Sequence, residues 1–256
     1  MQKHWDAVEP YVGHESAIIW PIFRGIGGQC DGGWANNVMN GMTSWTLHRM
    51  QGRRNGDYHS HPDAEQLYYF LTPAKMKLDG VTISVAPGDC VHIPPRVKHQ
   101  LLNDHSEDWA EHMLVTAPVT PSALVAYDKT PELWKEQLVR NFRDATPQIS
   151  HEFAIIWTLF RGYDTANTDG PTTMLGMTGF TLHRMQPKQK GDYHDHKDRE
   201  QLYYFTEGHG QMQVDGQVIN VKAGDSVYIP RQIKHQMVNS SNHWVEHLLL
   251  TCYDTL

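Results

Sequence analysis

The stretch His48 to Phe70, HRMQGRRNGDYHSHPDAEQLYYF, returns at His183 to Phe205 as HRMQPKQKGDYHDHKDREQLYYF, a displacement of 183 − 48 = 135 residues. Each copy carries a His-x-His element (His59/His61 and His194/His196) and an acid-amide pair (Glu65-Gln66 and Glu200-Gln201). A further histidine follows about forty residues on in each, His99 and His235. Duplication of a core alone would need to keep only apolar residues. Retention of three histidines, a Glu-Gln pair, Arg49/Arg184 and Tyr58/Tyr193 at matched places puts function close to these positions.

Outward from this stretch the match continues. HESAIIWPIFRG from His14 pairs with HEFAIIWTLFRG from His151, and GMTSWTLHRMQ from Gly41 with GMTGFTLHRMQ from Gly176. LDGVTISVAPGDCVHIPPRVKHQLLN from Leu78 pairs with VDGQVINVKAGDSVYIPRQIKHQMVN from Val214. Short β-branched and aromatic runs broken by Gly, Pro or Asp-Gly give the strand-and-turn rhythm of an all-β barrel or sandwich. Asp79-Gly80 and Asp215-Gly216 suit two-residue hairpins, and Pro87-Gly88-Asp89 and Ala223-Gly224-Asp225 make a second turn in each copy. Three units follow: an N-terminal barrel over 1–117, a connector over 118–147 and a C-terminal barrel over 148–256. The connector predicts one helix, with Thr130 as cap, Pro131 in the first turn, and Leu133, Trp134, Leu138 and Phe142 as an apolar stripe.

Composition narrows the function classes. The 256 residues carry a net charge of −7 with acids and bases interspersed, which disfavours nucleic acid and anionic membranes as partners. The first residues show no cationic segment leading an apolar one, and no apolar run reaches spanning length, so a soluble cytoplasmic protein is expected. Cys30, Cys90 and Cys252 are odd in number and widely spaced, which suits reduced thiols; Cys90 aligns with Ser226 and reads as a small buried residue. Histidine is the unusual component, 17 residues against 22 Lys plus Arg.

Residues two apart on a strand leave the same face, so His59/His61 and His194/His196 can share one cation, with His99 and His235 arriving from the following arm. The first arm of each copy carries His-x-His, and the second arm reads Gly88, Pro94, His99, Asn103, with Gly224, Pro230, His235, Asn239 in the second copy. Over nearly the whole chain this resembles the double signature of the cupin superfamily, in a two-domain layout similar to oxalate decarboxylases and quercetin dioxygenases. The resemblance implies two tandem jelly-roll (double-stranded β-helix) barrels, each holding a divalent transition metal: iron, manganese, cobalt, nickel or zinc, two ions per chain.

Glu65 and Gln66 are adjacent and face opposite ways on a strand, so only one of each pair points inward. Counting from His61 favours Glu65 and Glu200; counting back from Gly208 favours Gln66 and Gln201. The amides are preferred, and glutamine at this place has company in cupins such as hydroxynitrile lyases. The expected ligands are His59, His61, Gln66 and His99, and His194, His196, Gln201 and His235. Neutral ligands leave the ion's charge unneutralised and favour a small anionic, oxygen-bearing substrate. An inward Arg49 or Arg184 could hold its carboxylate. Tyr68/Tyr203 and His112/His247 could move protons. Trp20/Trp157 and Phe23/Phe160 are assigned to the core. The leading expectation is Lewis-acid isomerase or lyase chemistry on a hydroxy- or oxo-acid. An Fe(II) dioxygenase and a non-catalytic ligand sensor stand as alternatives, and assembly into a homo-oligomer is left open. His92, which becomes Tyr228, marks an asymmetry between the copies.

Overall fold

A computed structural model describes residues 1–26, 36–129, 138–165 and 169–254. Each repeat forms a large sheet and a three-stranded sheet. In the first, the large sheet runs in the order Val139–Asn141, Asp89–Ile93, Ala64–Phe70, Ala110–Pro118, Ser44–Met50, Ala17–Gly25, Tyr11–Gly13. Its small sheet joins His99–Leu102, Ala74–Leu78 and Val81–Val85. The second repeat reproduces this order, from Gln2–His4 through Asp225–Ile229, Arg199–Glu207, Val245–Tyr253 and Met177–Met185 to Ala154–Gly162 and Gln148–Ser150. The outermost strands are exchanged. Gln2–His4 pairs with the second repeat's Asp225–Ile229, and Val139–Asn141 with the first repeat's Asp89–Ile93.

Strand parity sorts the side chains into three cores. Leu67 and Tyr69 face a seam where the two large sheets pack together, with Phe23, Trp45 and Cys90 on one side and Phe160, Phe180, Tyr204 and Cys252 on the other. Trp20 and Trp157 pack half-buried against that seam. Tyr68 and Phe70 face the interior of the first barrel, and Tyr203 and Phe205 that of the second. A strand buried on both faces explains the almost unbroken apolar run LYYF.

The hairpins form where the local chemistry places them. Asp79 and Gly80 have φ of 44° and 89°, and Asp215 and Gly216 47° and 77°, the two positive values that a type I′ turn needs. Among its described residues the connector contains one α-helix, Pro121–Lys129, entered from Thr120, whose Oγ1 accepts the Ala123 N–H. Most of the expected helix falls outside the described residues. Thr130, Pro131, Leu133 and Trp134 lie outside the described residues, whereas Leu138 sits at a bend and Phe142 opens a 3-10 turn rather than continuing an α-helix. The backbone of this part is taken by the exchanged strand, where the Leu138 carbonyl accepts the His92 N–H. Among the described residues no helix is long and apolar enough to cross a membrane.

Candidate metal centres

The two arms of each site are locked by the candidate ligands' own backbone. The His59 N–H donates to the His99 carbonyl at 3.1 Å and the His99 N–H returns to His59 at 2.8 Å; His194 and His235 repeat this at 3.2 and 2.8 Å. Residues opposed in this way project side chains to the same face. His61 and His196 lie outside the strands and are held by their carbonyls, which accept the Arg96 and Gln232 N–H groups. The ligating atoms of His59, His61 and His99 all lie within 4.8 Å of one another, as do those of His194, His196 and His235.

The imidazoles are set up for a cation. Nδ1 of His99 faces the Val97 carbonyl at 3.1 Å and Nδ1 of His235 the Ile233 carbonyl at 2.9 Å. A carbonyl only accepts, so Nδ1 carries the proton and Nε2 presents a bare lone pair. Nδ1 of His59 and of His194 sits between the preceding aspartate's carbonyl and its carboxylate, the latter at 3.2 Å in both copies. Nε2 of His59, His61, His99 and His235 is buried with no hydrogen-bond partner in the protein. Buried nitrogens converging without partners are costly unless something binds them, and a divalent ion fits this donor set. Burial lowers His99, His196 and His235 to about 4, so they stay neutral near pH 7 and available as ligands.

The Glu-Gln pairs divide between interior and seam. Gln66 and Gln201 point inward; the Gln201 amide lies 3.0 Å from His196 Nε2, and each glutamine Oε1 accepts its tyrosine's hydroxyl, Tyr68 or Tyr203, at 3.2 Å. The glutamates point to the other repeat. Glu65 accepts the N–H groups of Leu175, Gly176 and Met177 at 2.7 to 2.8 Å and faces His92 at 2.9 Å. Glu200 accepts those of Asn40, Gly41 and Met42 at 2.8 to 3.1 Å and the Tyr228 hydroxyl at 2.8 Å. The His92/Tyr228 asymmetry therefore belongs to the seam, not to the sites.

Parity also corrects one expectation. In the strands Ser44–Met50 and Met177–Met185 it is His48 and His183 that face inward, and Arg49 and Arg184 face away. Arg49 is paired with Glu111 and lies over the Trp5 and Trp20 rings. Arg184 is paired with Glu207 and Glu246, 3.1 and 3.3 Å away, and lies over Trp244. Neither guanidinium reaches the cavity. His112 and His247 do, packed against Tyr68 and Tyr203, and burial pushes both down to about 3. The same burial raises the two tyrosines.

His14 and His151 escaped the reading of the sequence, although the recurring His-Glu of HESAIIW and HEFAIIW was a signal. Each stands at a cavity mouth, stacked on His59 or His194 at 4.9 or 4.8 Å between ring centres, and hydrogen-bonded to Asp57 or Asp192 at 2.8 Å. The His-Glu dipeptide turns with φ of 46° and 67° in one copy and 48° and 67° in the other, an uncommon left-handed pair held twice. The cavities themselves measure ≈ 20 and ≈ 30 Å³ in the first and second barrel.

Two duplicated jelly rolls, each with three converging imidazoles, define a tandem-barrel protein with two candidate metal centres. The cupin domain matches over residues 46–115 and again over 181–250, more than half of the chain, and the chain belongs to the cupin family as two tandem domains. Among solved structures it is similar to an oxalate decarboxylase of Lactobacillus farciminis in complex with formate. The TM-score is 0.68 at 13% identity, over 99% of this chain and 85% of that one. An oxalate decarboxylase of Bacillus subtilis gives 0.69 at 16%, over 99% and 77%. A putative glyoxylate-induced protein of Pseudomonas aeruginosa gives 0.70 at 14%, over 93% and 80%. At such identities the likeness is one of fold. An uncharacterized protein of Methanocaldococcus jannaschii is 41% identical over 49 residues, which span 19% of this chain and 39% of that protein.

Proposed function

We propose that this chain is a metal-dependent enzyme acting on a small anionic hydroxy- or oxo-acid by isomerase or lyase chemistry. The observation that carries the reading is the triad of converging imidazoles beside an inward amide in both barrels, with three buried Nε2 atoms left unpartnered in the first and His235 Nε2 in the second. His59, His61, Gln66 and His99 would hold one divalent ion, and His194, His196, Gln201 and His235 the other; a half-turn of the amide brings Oε1 toward the imidazoles. A divalent ion held there would supply Lewis-acid chemistry, with no carboxylate among its ligands to offset its charge.

The surrounding residues divide the remaining work. Burial keeps Tyr68 and Tyr203 protonated and His112 and His247 neutral, so all four present polar groups to a bound anion without adding charge. His14 and His151, half-exposed, stack on His59 and His194 and hydrogen-bond to Asp57 and Asp192 beside each centre.

Elemental analysis of the purified protein should give two divalent ions per chain. His59→Ala should remove one and His194→Ala the other; a single ion that survives both changes would reject the two-centre reading. Turnover of hydroxy- and oxo-acids without oxygen uptake is the expected activity. Oxygen consumption on Fe(II) loading would instead make the protein a dioxygenase, and binding without turnover across such acids would make it a sensor.

A further inference from the structure

We infer that the two centres are not equivalent: the second barrel takes the organic anion, and Arg199 together with Arg161 binds a carboxylate of it beside His196 and Gln201. The inference rests on the proposed metal centre at His194, His196, Gln201 and His235, and adds to it which barrel binds and through which residues.

A cavity of ≈ 240 Å³ opens beside the second centre, lined by Gln148, Arg161, Thr181, His196, Arg199 and Gln201 among others, with no acidic side chain in its lining. It shares His151, His183, Gln201 and Leu249 with the small cavity at the barrel's core, so it is an approach to the same site. Two guanidinium groups, an amide and hydroxyls around a concave space make a receptor for an oxyanion. The volume lies below the roughly 300–1,000 Å³ typical of drug-sized ligands and suits a small acid.

The two arginines are held differently. Arg161 is fixed, with Nε and Nη2 on the Asp169 carboxylate at 3.1 and 3.0 Å. Its remaining nitrogen, Nη1, is turned to Gly179, where a Cβ would stand 3.1 Å from it and 3.0 Å from Thr251 Oγ1. The missing side chain leaves that edge of the guanidinium open to the cavity. Arg199 is loosely held, 37% exposed, resting on the Tyr253 ring at 5.3 Å and 3.7 Å from an exposed Asp198. A pinned arginine and a movable one form a clamp.

The first barrel keeps its metal residues but loses this clamp. Arg24 matches Arg161, yet its Nη2 donates to the Tyr11 hydroxyl at 3.0 Å, and Tyr11, half-buried, stands where the second copy has the exposed Gln148. Ser44 replaces Gly179 and restores the Cβ; Ala64 replaces Arg199 and removes the second charge. All of these differences close or discharge the same approach, which loop drift would not produce.

Calorimetric titration of the metal-loaded full-length protein with malonate, with ions counted in every sample, tests this. One malonate per chain is expected, and none of its neutral analogue malonamide. Arg199→Ala should weaken binding roughly tenfold or more, as loss of a charged hydrogen-bonding partner does. Gln148→Tyr should also weaken it by filling the approach, with both variants retaining two ions and the parent melting temperature. The double variant Tyr11→Gln with Ala64→Arg should gain a second equivalent. Two equal equivalents in the parent protein, no binding at all, or an affinity unchanged by Arg199→Ala would overturn the inference. Protein that holds no ions would reject the metal reading instead. Malonate heat that persists in such protein and disappears in Arg199→Ala would still uphold the clamp.

Discussion

At the scale of single residues, the neighbouring Glu and Gln carry opposite duties because one peptide step on a strand reverses the face. Gln66→Ala and Gln201→Ala should lower metal retention tenfold or more, as loss of a metal-directed group commonly does, while leaving the melting of ion-free protein nearly unchanged. Glu65→Ala and Glu200→Ala should keep both ions through dialysis but cost about 3 kcal/mol each in denaturant unfolding, because three buried N–H groups lose their acceptor. Ions lost with the glutamates and kept without the glutamines would invert the assignment. That one of each pair faces inward was legible from strand period alone. The glutamates' partners were not: the N–H donors to Glu65 lie 110 to 112 residues further along the chain, and no local pattern announces them. Arg49 and Arg184 failed as inward residues for the same reason, since parity allowed His or Arg inside and the tryptophans that shelter Arg49 come from distant segments.

At the scale of elements, the sequence was readable where structure is local. Asp-Gly hairpins and the His-x-His arm need only their own residues. Thr120 and Pro121, a pair of the same chemistry as the expected Thr130 and Pro131, open the α-helix among the described residues. The exchanged strands were hidden, because QKH and VRN are three residues each and have neither alternation nor turn chemistry. Their role is testable. Deleting residues 1–4 removes the outer partner of Asp225–Ile229, along with the Met1 carbonyl that accepts the Tyr228 N–H. Melting should fall by about 5 °C, a few kcal/mol for a chain of this size. Amide exchange should accelerate in Asp225–Ile229 and stay unchanged in Asp89–Ile93, whose own outer strand comes from Val139–Asn141. Equal acceleration in both would mean that the two barrels unfold as one unit, not that the strand supports one of them.

At the scale of the whole molecule, the fold spends stability on neutral histidines in buried places. His112 and His247 are lowered to about 3, and His99 and His235 to about 4, with burial the leading cause in each. In the unfolded chain each would titrate near 6.5, so below that pH the unfolded state binds protons that the folded state refuses. The contribution to stability is therefore complete above about pH 6.5 and falls as the pH drops from there through about 4 and on to about 3. Ion-free protein should lose roughly 10 °C or more in melting temperature between pH 7 and pH 5, within the range where carboxylates have barely begun to titrate. Metal-loaded protein should stand above it at pH 7 by mass action and keep that margin to about pH 5, losing it only near pH 4, where protons begin to compete with the ion for His99 and His235. His112→Phe in the ion-free protein separates burial from ligation: it should flatten the pH dependence by removing one refused proton while leaving the triad intact. A melting curve as steep in acid for His112→Phe as for the parent would assign the sensitivity to other groups.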